Sequence, residues 1–204
     1  MNGPYPGKRL VDLAILAVVA VPTMVLALPC AVAVKLTSPG PVLFRQERIG
    51  RNGRPFELLK FRTMTTGPNA LIPDQADITR VGAVLRRLSL DELPQLINVA
   101  RGEMSIVGPR PTLAYQVERY TDVQRRRQCV NPGVTGWAQL QGRNEIPWAR
   151  RIEYDLEYID SLQSPVRDVS ILIRSVVAAL AGGGVEGHPI DDPIARPPEE
   201  ETTS

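Results

Sequence analysis

The chain has 204 residues, of which 43% are hydrophobic, and this length predicts one domain with attachments rather than two full domains. A formal net charge of +2 and an aromatic content of 5% argue against a nucleic-acid partner, because such proteins need basic surfaces or aromatic side chains that stack on bases. Two cysteines and one histidine provide neither a disulfide framework nor the ligand spacing of a zinc site.

An uncharged run extends from Leu13 to Val34, and a helix of this length would measure about 33 Å, the thickness of a bilayer core. Pro22 lies at its middle, where it should kink the helix and leave two halves of about 18 Å, each too short to cross. Basic residues lie on both sides of the run: Lys8, Arg9, Lys35, Arg45 and Arg48. Under the positive-inside rule both ends favour the cytoplasm. We therefore predict a re-entrant membrane helix over residues 8–36, broken at Pro22.

Three other structures are compatible with the same run. A cleaved signal peptide fits the basic start, the apolar stretch and the small residues Ala31 and Ala33. An ordinary membrane-spanning helix also fits the length. A buried helix of a soluble protein fits less well, because the run has no polar face.

A β-hairpin is predicted directly after the apolar run. The turn residues of 38–41 end that run, and two β-rich stretches, 42–49 and 55–64, are joined through Gly50, Arg51, Asn52 and Gly53. Amphipathic helices are then predicted at 81–88, 93–100, 112–128 and 147–162. Gly102 should end the second of these helices.

The remaining segments are predicted to be irregular. Residues 66–77 and 131–144 are rich in turn formers, and residues 182–204 are expected to form a disordered acidic tail. The fold class that follows is α+β: a small membrane-associated domain with a re-entrant N-terminal helix, a β-hairpin and several amphipathic helices.

Two adjacent carboxylates, Asp91 and Glu92, are the main chemical feature of the sequence. Ser89 and Glu92 have the Ser-x-x-Glu spacing of a capping box, while Pro94 favours the first helical position. Both alternatives place the carboxylates at a helix N-terminus. The helix dipole contributes only about 0.3–1 kcal/mol to an anion there, so a catalytic role would need cations from elsewhere.

Phosphate chemistry suits such a pair. Aspartate, with an ordinary pKa of about 3.9, is an anion at neutral pH and can attack phosphorus without a general base. Two like charges 4 Å apart repel by about 4 kcal/mol at an effective dielectric near 20, so cations must surround the site. Residues 45–110 do carry an excess of basic side chains, and Mg²⁺ held by a carboxylate and substrate phosphates would act as clamp and Lewis acid.

Ordered blocks of sequence match a known family. The blocks are Lys8-Arg9-x-x-Asp12, Ser38 to Gln46, Lys60 to Met64, Ser89 to Gln95, Gly102 to Pro111, Pro132 to Gln139 and Gly142 to Asn144. With these blocks the chain resembles the bacterial sugar transferases, the monotopic polyprenyl-phosphate phosphoglycosyltransferases, in their small catalytic-core form. The family breaks its re-entrant helix at a Ser-Pro pair, and here that pair is Val21-Pro22.

The resemblance implies a catalytic phosphoglycosyltransferase domain over residues 37–175, at the cytoplasmic face of the cell membrane. The implied reaction transfers a phosphosugar from a UDP-sugar to polyprenyl (undecaprenyl) phosphate and releases UMP. It would be the first membrane step of glycoconjugate or exopolysaccharide synthesis, with membrane lipids and downstream glycosyltransferases as partners. No motif in the sequence identifies the sugar.

The resemblance also implies roles for single residues. Asp91 would be the nucleophile that forms a phosphosugar-enzyme intermediate and would bind Mg²⁺, with Glu92 as the second acid. The residues implied to hold phosphates are Lys60, Arg62, Arg86 and Arg110. The residues implied for the nucleotide end are Gln139, Arg143 and Asn144.

Two further functions use the same residues. A non-catalytic adaptor would bind anionic lipid head groups through its basic side chains. A nucleotide-sugar hydrolase would use the carboxylates to activate water. The adaptor requires neither Mg²⁺ nor Asp91, and the hydrolase would release free sugar phosphate without a lipid acceptor.

Overall fold

The computed structural model describes residues 3–65, 77–142, 146–181 and 194. Its helices are α1 (Lys8–Thr37), α2 (Arg80–Arg87), α3 (Gln95–Arg101), α4 (Ala114–Glu118), α5 (Asp122–Arg125), α6 (Trp137–Gly142), α7 (Trp148–Glu157) and α8 (Pro165–Leu180). Its strands are β1 (Leu43–Ile49), β2 (Pro55–Phe61), β3 (Ser105–Val107) and β4 (Gly133–Thr135). The predicted α+β class is confirmed. The predicted loop at 66–76 and most of the predicted tail at 182–204 lie outside the described residues.

Helix α1 is continuous through both Pro22 and Pro29. The predicted division into two helices at Pro22 is therefore wrong, because each proline removes only one amide from the hydrogen-bond ladder and the pattern resumes around it. By length and composition the helix could cross a membrane. Its middle is uncovered, since Val18 and Leu28 are 77% and 70% exposed. A re-entrant path stays a prediction.

A buried ionic cluster fixes the start of α1 to α8. Lys8 Nζ lies 3.0 Å from the Asp12 carboxylate and 2.8 Å from that of Asp168. The hydroxyls of Tyr158 and Tyr5 donate to Asp168 over 2.6 and 2.8 Å. Burial, together with Asp168, raises the pKa of Tyr158 far above its usual value, so its phenol remains a hydrogen-bond donor at neutral pH. The cluster holds the N-terminal end of α1 inside the protein.

The same end of α1 also binds α3. The Arg9 guanidinium donates to the carbonyl oxygens of Val99 and Ala100, over 2.5 and 2.8 Å, at the helix end where free carbonyls favour a cation. The Asp12 carboxylate accepts a 2.9 Å hydrogen bond from Ser105 Oγ. The basic residues that precede the apolar run are therefore engaged within the protein.

The other end of α1 packs on the same domain. Val34 belongs to a buried cluster with Phe61 and Leu85. The next turn is fixed by Arg62, whose Nη2 donates to the carbonyl oxygen and the hydroxyl of Ser38, over 2.6 and 2.8 Å. Both ends of this long helix thus contact one folded unit.

The predicted hairpin is confirmed, although its second strand ends at Phe61 rather than at residue 64. β1 and β2 are antiparallel, with Phe44 opposite Lys60 and Gln46 opposite Leu58. Because side chains alternate between the two faces of a strand, Arg48 lies on the same face as Leu58 and Lys60.

Helix α3 is attached to β2 by Asn98, a fully buried side chain. Its amide oxygen accepts from the Leu59 amide over 3.1 Å, and its amide nitrogen donates to the Glu57 carbonyl over 2.7 Å. Gly102 ends the helix at a φ of 82°, as predicted from its tolerance of the left-handed conformation. Glycine is also required at Gly82 of α2, where a Cβ would lie 2.0 Å from the Thr63 carbonyl oxygen.

The second half of the chain differs more from the sequence prediction. The predicted helix over 112–128 is divided into α4 and α5, because Thr121 caps the Gln124 amide and starts a new helix. The predicted helix over 147–162 corresponds to α7 and the π turn Tyr158–Leu162. The parallel pair β3 and β4 and helix α8 were not predicted.

A buried ion pair holds the loop that precedes α4. Arg127 Nη2 lies 2.6 Å from Asp155 Oδ2 and donates to the Arg110 carbonyl over 2.9 Å, while Nη1 donates to the Tyr120 hydroxyl over 2.6 Å. Burial alone would lower the pKa of Arg127, but Tyr120 and Asp155 outweigh it and the pKa is raised. Arg127 is therefore a buried cation that fixes the backbone of Arg110.

Replacing Asp155, the buried partner of Arg127, should lower the stability of the protein far more than replacing an aspartate of an exposed ion pair. We expect Asp155→Asn to lower the free energy of unfolding by about 3–5 kcal/mol, because Arg127 is left as an uncompensated buried charge. The matched control is Asp160→Asn, whose ion pair with Arg126 is about one third exposed and should change stability by less than about 1 kcal/mol. Denaturant unfolding in detergent micelles measures both, and equal effects would contradict the prediction.

Candidate active site

The acidic dyad, Asp91 and Glu92, lies in a 3-10 turn, Leu90–Glu92, between α2 and α3. Ser89 has a φ of 55°, and its side chain forms no capping hydrogen bond. The capping-box interpretation is therefore wrong, and the Glu92 carboxylate binds the cations of Lys60 and Arg110 instead. Asp91 is only 4% exposed.

Two cations meet at one oxygen of the dyad. Glu92 Oε1 lies 3.0 Å from Lys60 Nζ and 3.1 Å from Arg110 Nη2. Lys60 Nζ is also 3.8 Å from Asp91 Oδ2, so one ammonium group lies between the two carboxylates. All of these side chains are largely buried, where screening by solvent is weak. The structure thus brings together the two predicted acids and two of the four predicted phosphate ligands.

The members of this cluster come from three different parts of the fold. Lys60 is near the end of β2, and Arg110 lies in the loop held by Arg127. The dyad precedes α3, which Asn98 attaches to β2. The positions of the charges are therefore set by tertiary contacts rather than by a local motif.

The other two predicted phosphate ligands bind elsewhere. Arg86 Nε donates to Thr63 Oγ1 over 2.9 Å, and Arg62 Nη2 is bound to Ser38. Nε and Nη1 of Arg62 are buried without a hydrogen-bond partner in the described part of the chain. Arg62 directly follows β2, and Arg86 lies in α2 and contacts Thr63. The phosphate roles of both arginines stay predictions.

Of the residues predicted for the nucleotide end, Gln139 alone lies in the described part of the chain, and its amide contacts Val134 rather than the dyad. The Gln139 amide, on α6, donates to the Val134 carbonyl over 3.4 Å. Arg143 and Asn144 lie outside the described residues. The three nucleotide roles stay predictions.

A polar cavity of about 60 Å³ is lined by Lys60 and Arg110, the two cations that bind Glu92. Its lining consists of Arg48, Leu58, Lys60, Gln95, Arg110, Pro111 and Trp148. Arg48, Gln95 and Trp148 were not predicted as site residues. One signal in the sequence could have indicated Arg48. Side chains alternate between the two faces of a strand, and this alternation places Arg48 on the same face as Lys60.

The donor set suits magnesium. The described residues contain no group of three or more His, Cys, Asp or Glu side chains that could hold a metal, and Mg²⁺ is usually bound by one or two carboxylates with substrate phosphates and waters. Asp91 and Glu92 supply hard oxygen ligands of this kind, so these residues fit the ion.

The sequence matches the family model described as bacterial sugar transferase over residues 4–182. A Bacillus subtilis (strain 168) protein named uncharacterized sugar transferase EpsL is 43% identical over 182 residues, which cover 88% of this chain and 90% of the relative. The UDP-glucose:undecaprenyl-phosphate glucose-1-phosphate transferase of Caulobacter vibrioides is 42% identical over 199 residues, covering 88% of this chain and 74% of that protein.

An Escherichia coli (strain K12) enzyme of the same name is 49% identical over 142 residues, 63% of this chain, but the match spans only 31% of that longer protein. The family match begins at residue 4 and ends at residue 182, so it includes α1, the hairpin and the dyad. The protein therefore belongs to the bacterial sugar transferase family.

Proposed function

We propose that the protein transfers a phosphosugar from a UDP-sugar to polyprenyl phosphate, releasing UMP, in exopolysaccharide or glycoconjugate synthesis. The names of the Caulobacter and Escherichia relatives support the two substrates. The observation that carries the proposal is the buried dyad with Lys60 and Arg110 on one oxygen of Glu92. Such a site can accept an anionic diphosphate beside an anionic nucleophile.

The reaction has two displacements at one phosphorus atom. In the first, an Asp91 oxygen bonds to the sugar-linked phosphorus, the bond to the bridging oxygen breaks, and UMP leaves with the electron pair. In the second, an oxygen of polyprenyl phosphate bonds to that phosphorus and Asp91 leaves as a carboxylate. No general base is needed, because a carboxylate and a phosphate monoester, with its second pKa of about 6, are already anions at neutral pH.

The cations lower the repulsion between these anions. Lys60 lies within 4 Å of both carboxylates and can move toward a substrate phosphate while remaining near Asp91. Arg110 presents a planar guanidinium, which binds phosphate oxygens in pairs. Bound Mg²⁺, for which Asp91 is the proposed ligand, would supply further charge neutralisation and Lewis acidity.

The contacts of α1 support attachment of the protein to one face of the membrane, and the basic residues on both sides of the apolar run favour the cytoplasmic face. A 30-residue helix measures about 45 Å, yet both of its ends bind the catalytic region, through Arg9 and through Ser38. Its exposed middle is apolar, and so is the exposed side of α8, with Val166, Ile173 and Leu180. A proline inside a continuous helix can still bend it, so we infer that α1 bends at Pro22, enters the cytoplasmic leaflet and returns.

Asp91→Asn should abolish sugar-phosphate transfer, because a neutral amide is a poor nucleophile, and should leave membrane binding intact. Purified protein is incubated with UDP-sugars, Mg²⁺ and polyprenyl phosphate, and UMP and lipid-linked product are measured. The matched control is Asp122→Asn, an exposed position in the first turn of α5. Full activity in Asp91→Asn would refute the proposed nucleophile.

The same assay without polyprenyl phosphate separates the alternatives. The transferase releases at most one UMP per protein and retains the phosphosugar, which mass spectrometry detects as a covalent adduct. Continuous release of sugar phosphate would instead identify a hydrolase. A membrane adaptor would release no UMP under either condition.

Lys60→Met should lower kcat/KM by about tenfold to a hundredfold, the effect of one charge-assisted hydrogen bond of about 1.5–3 kcal/mol. Lys35→Met, an exposed position at the end of α1, is the matched control. Lys60→Arg should recover part of the lost rate because it restores the charge. A Lys60→Met enzyme with unchanged kcat/KM would remove Lys60 from the phosphate site.

The two ends of α1 should be accessible from the same side of the membrane. Single cysteines are introduced by Gly3→Cys and Leu36→Cys after Cys30 and Cys129 are replaced by alanine, and Arg54→Cys in the hairpin turn reports the catalytic side. A membrane-impermeant maleimide should label all three positions in inside-out vesicles and none in intact cells. Opposite labelling of the two α1 positions would indicate a spanning helix.

A further inference from the structure

The polar cavity beside the dyad has a strongly cationic wall. Three of its lining residues, Arg48, Lys60 and Arg110, are cations, and none of the described residues that line it is acidic. Its volume of about 60 Å³ is several times the roughly 10–15 Å³ that one water requires. A concave surface with charges of one sign concentrates ions of the opposite sign, so its chemistry is that of an anion subsite.

The hairpin and the following loop build this wall together. Arg48 and Lys60 are four residues apart on one face of the hairpin, measured through the pairs Phe44–Lys60 and Gln46–Leu58, which corresponds to about 13 Å of strand. Both side chains line the cavity together with Leu58, which lies between them along this face. Arg48 is directed by a 2.6 Å hydrogen bond from Nη2 to Gln46 Oε1 and a 3.4 Å bond from Nη1 to the Pro111 carbonyl.

The cavity shares a wall with the reacting carboxylates. Lys60 and Arg110 line it and also bind Glu92 Oε1. Lys60 Nζ is 3.8 Å from Asp91 Oδ2. An anion that binds Lys60 from the cavity would therefore lie near the Asp91 carboxylate, on the other side of one ammonium group.

We propose that the cavity is the subsite for the phosphate monoester that is not transferred, and that Arg48 binds this phosphate in both halves of the reaction. The inference rests on the proposed function. In the first displacement the cavity would hold the phosphate of departing UMP. In the second it would hold the phosphate of polyprenyl phosphate as it attacks.

The geometry of phosphoryl transfer explains why one subsite serves two substrates. Entering and leaving oxygens lie roughly in line on opposite sides of the phosphorus. Asp91 is the entering group in the first step and the leaving group in the second, so UMP and polyprenyl phosphate must occupy the same opposite position. Both present a dianionic phosphate monoester, and this is the chemistry that arginine guanidinium groups bind through paired hydrogen bonds.

The test compares two arginines of one strand. Arg48→Gln removes a cation from the cavity, whereas Arg45→Gln changes the opposite face of β1, where Arg45 is 62% exposed and paired with Glu57. Full-length protein in phospholipid nanodiscs is assayed for the Ki of UMP, the Ki of uridine and the KM of polyprenyl phosphate. Uridine is the control ligand, because it lacks only the phosphate.

Arg48→Gln should raise the Ki of UMP and the KM of polyprenyl phosphate together, each by about tenfold or more, and should leave the Ki of uridine within twofold. Arg45→Gln should change none of the three values by more than twofold. Arg48→Lys retains the charge but not the planar guanidinium group, so it should raise the Ki of UMP and the KM of polyprenyl phosphate by a smaller factor. If Arg48→Gln does not fold, the same three constants of Arg48→Lys test the proposal.

A rise in only one of the two phosphate constants, or in neither, overturns the shared subsite. An equal rise for uridine and UMP also overturns it, because the effect would then not depend on the phosphate. A wild-type protein that releases no UMP from any UDP-sugar would instead refute the proposed function itself. The two failures are therefore distinguished by the wild-type assay.

Discussion

The two cations on one carboxylate oxygen of Glu92 are the contact on which the site depends. Adjacent aspartate and glutamate side chains repel each other by several kcal/mol when buried close together, so a lone Asp-Glu pair is not sufficient for phosphate chemistry. Lys60 and Arg110 are 32 and 18 residues away in sequence from Glu92. Only the tertiary fold can bring them to the same atom. The contacts of Asn98 with β2 and of Arg127 with the Arg110 backbone hold the segments that carry these side chains.

Buried polar groups hold this arrangement. They contribute more to the positions of the site residues than to the free energy of unfolding. An ion pair such as Arg127–Asp155 loses solvation that its attraction only partly recovers, so well-packed apolar residues could often replace it without loss of stability. Arg127, however, also donates to the carbonyl of Arg110. An apolar substitute could fill the space but could not fix that backbone, which explains why a charge is placed there.

The sequence predicted features that local chemistry encodes. The turn at Gly50 to Gly53 and the helix end at Gly102 follow from backbone preferences, and both are present. The pairing of β3 with β4 was not predicted, because three-residue strands are too short to have a periodic pattern. The dyad was selected from the sequence itself, whereas the roles of its two acids and the four phosphate ligands came from family resemblance. Arg48 was missed because its role depends on the register of the hairpin and on the position of the Pro111 loop, neither of which a single strand pattern contains.

The two proposed substrates have little in common beyond a phosphate. One is a soluble nucleotide and the other is a lipid confined to the bilayer, so no single apolar or base-binding pocket could accommodate both in turn. A cationic cavity beside the nucleophile avoids this conflict, because it binds the shared group and leaves the remainder of each molecule outside. In the proposed reaction, α1 would then have a direct role. Both of its ends are attached to the catalytic region, so a re-entrant α1 would hold the cavity at the surface where the lipid phosphate lies, and the second displacement would need no large movement of the protein.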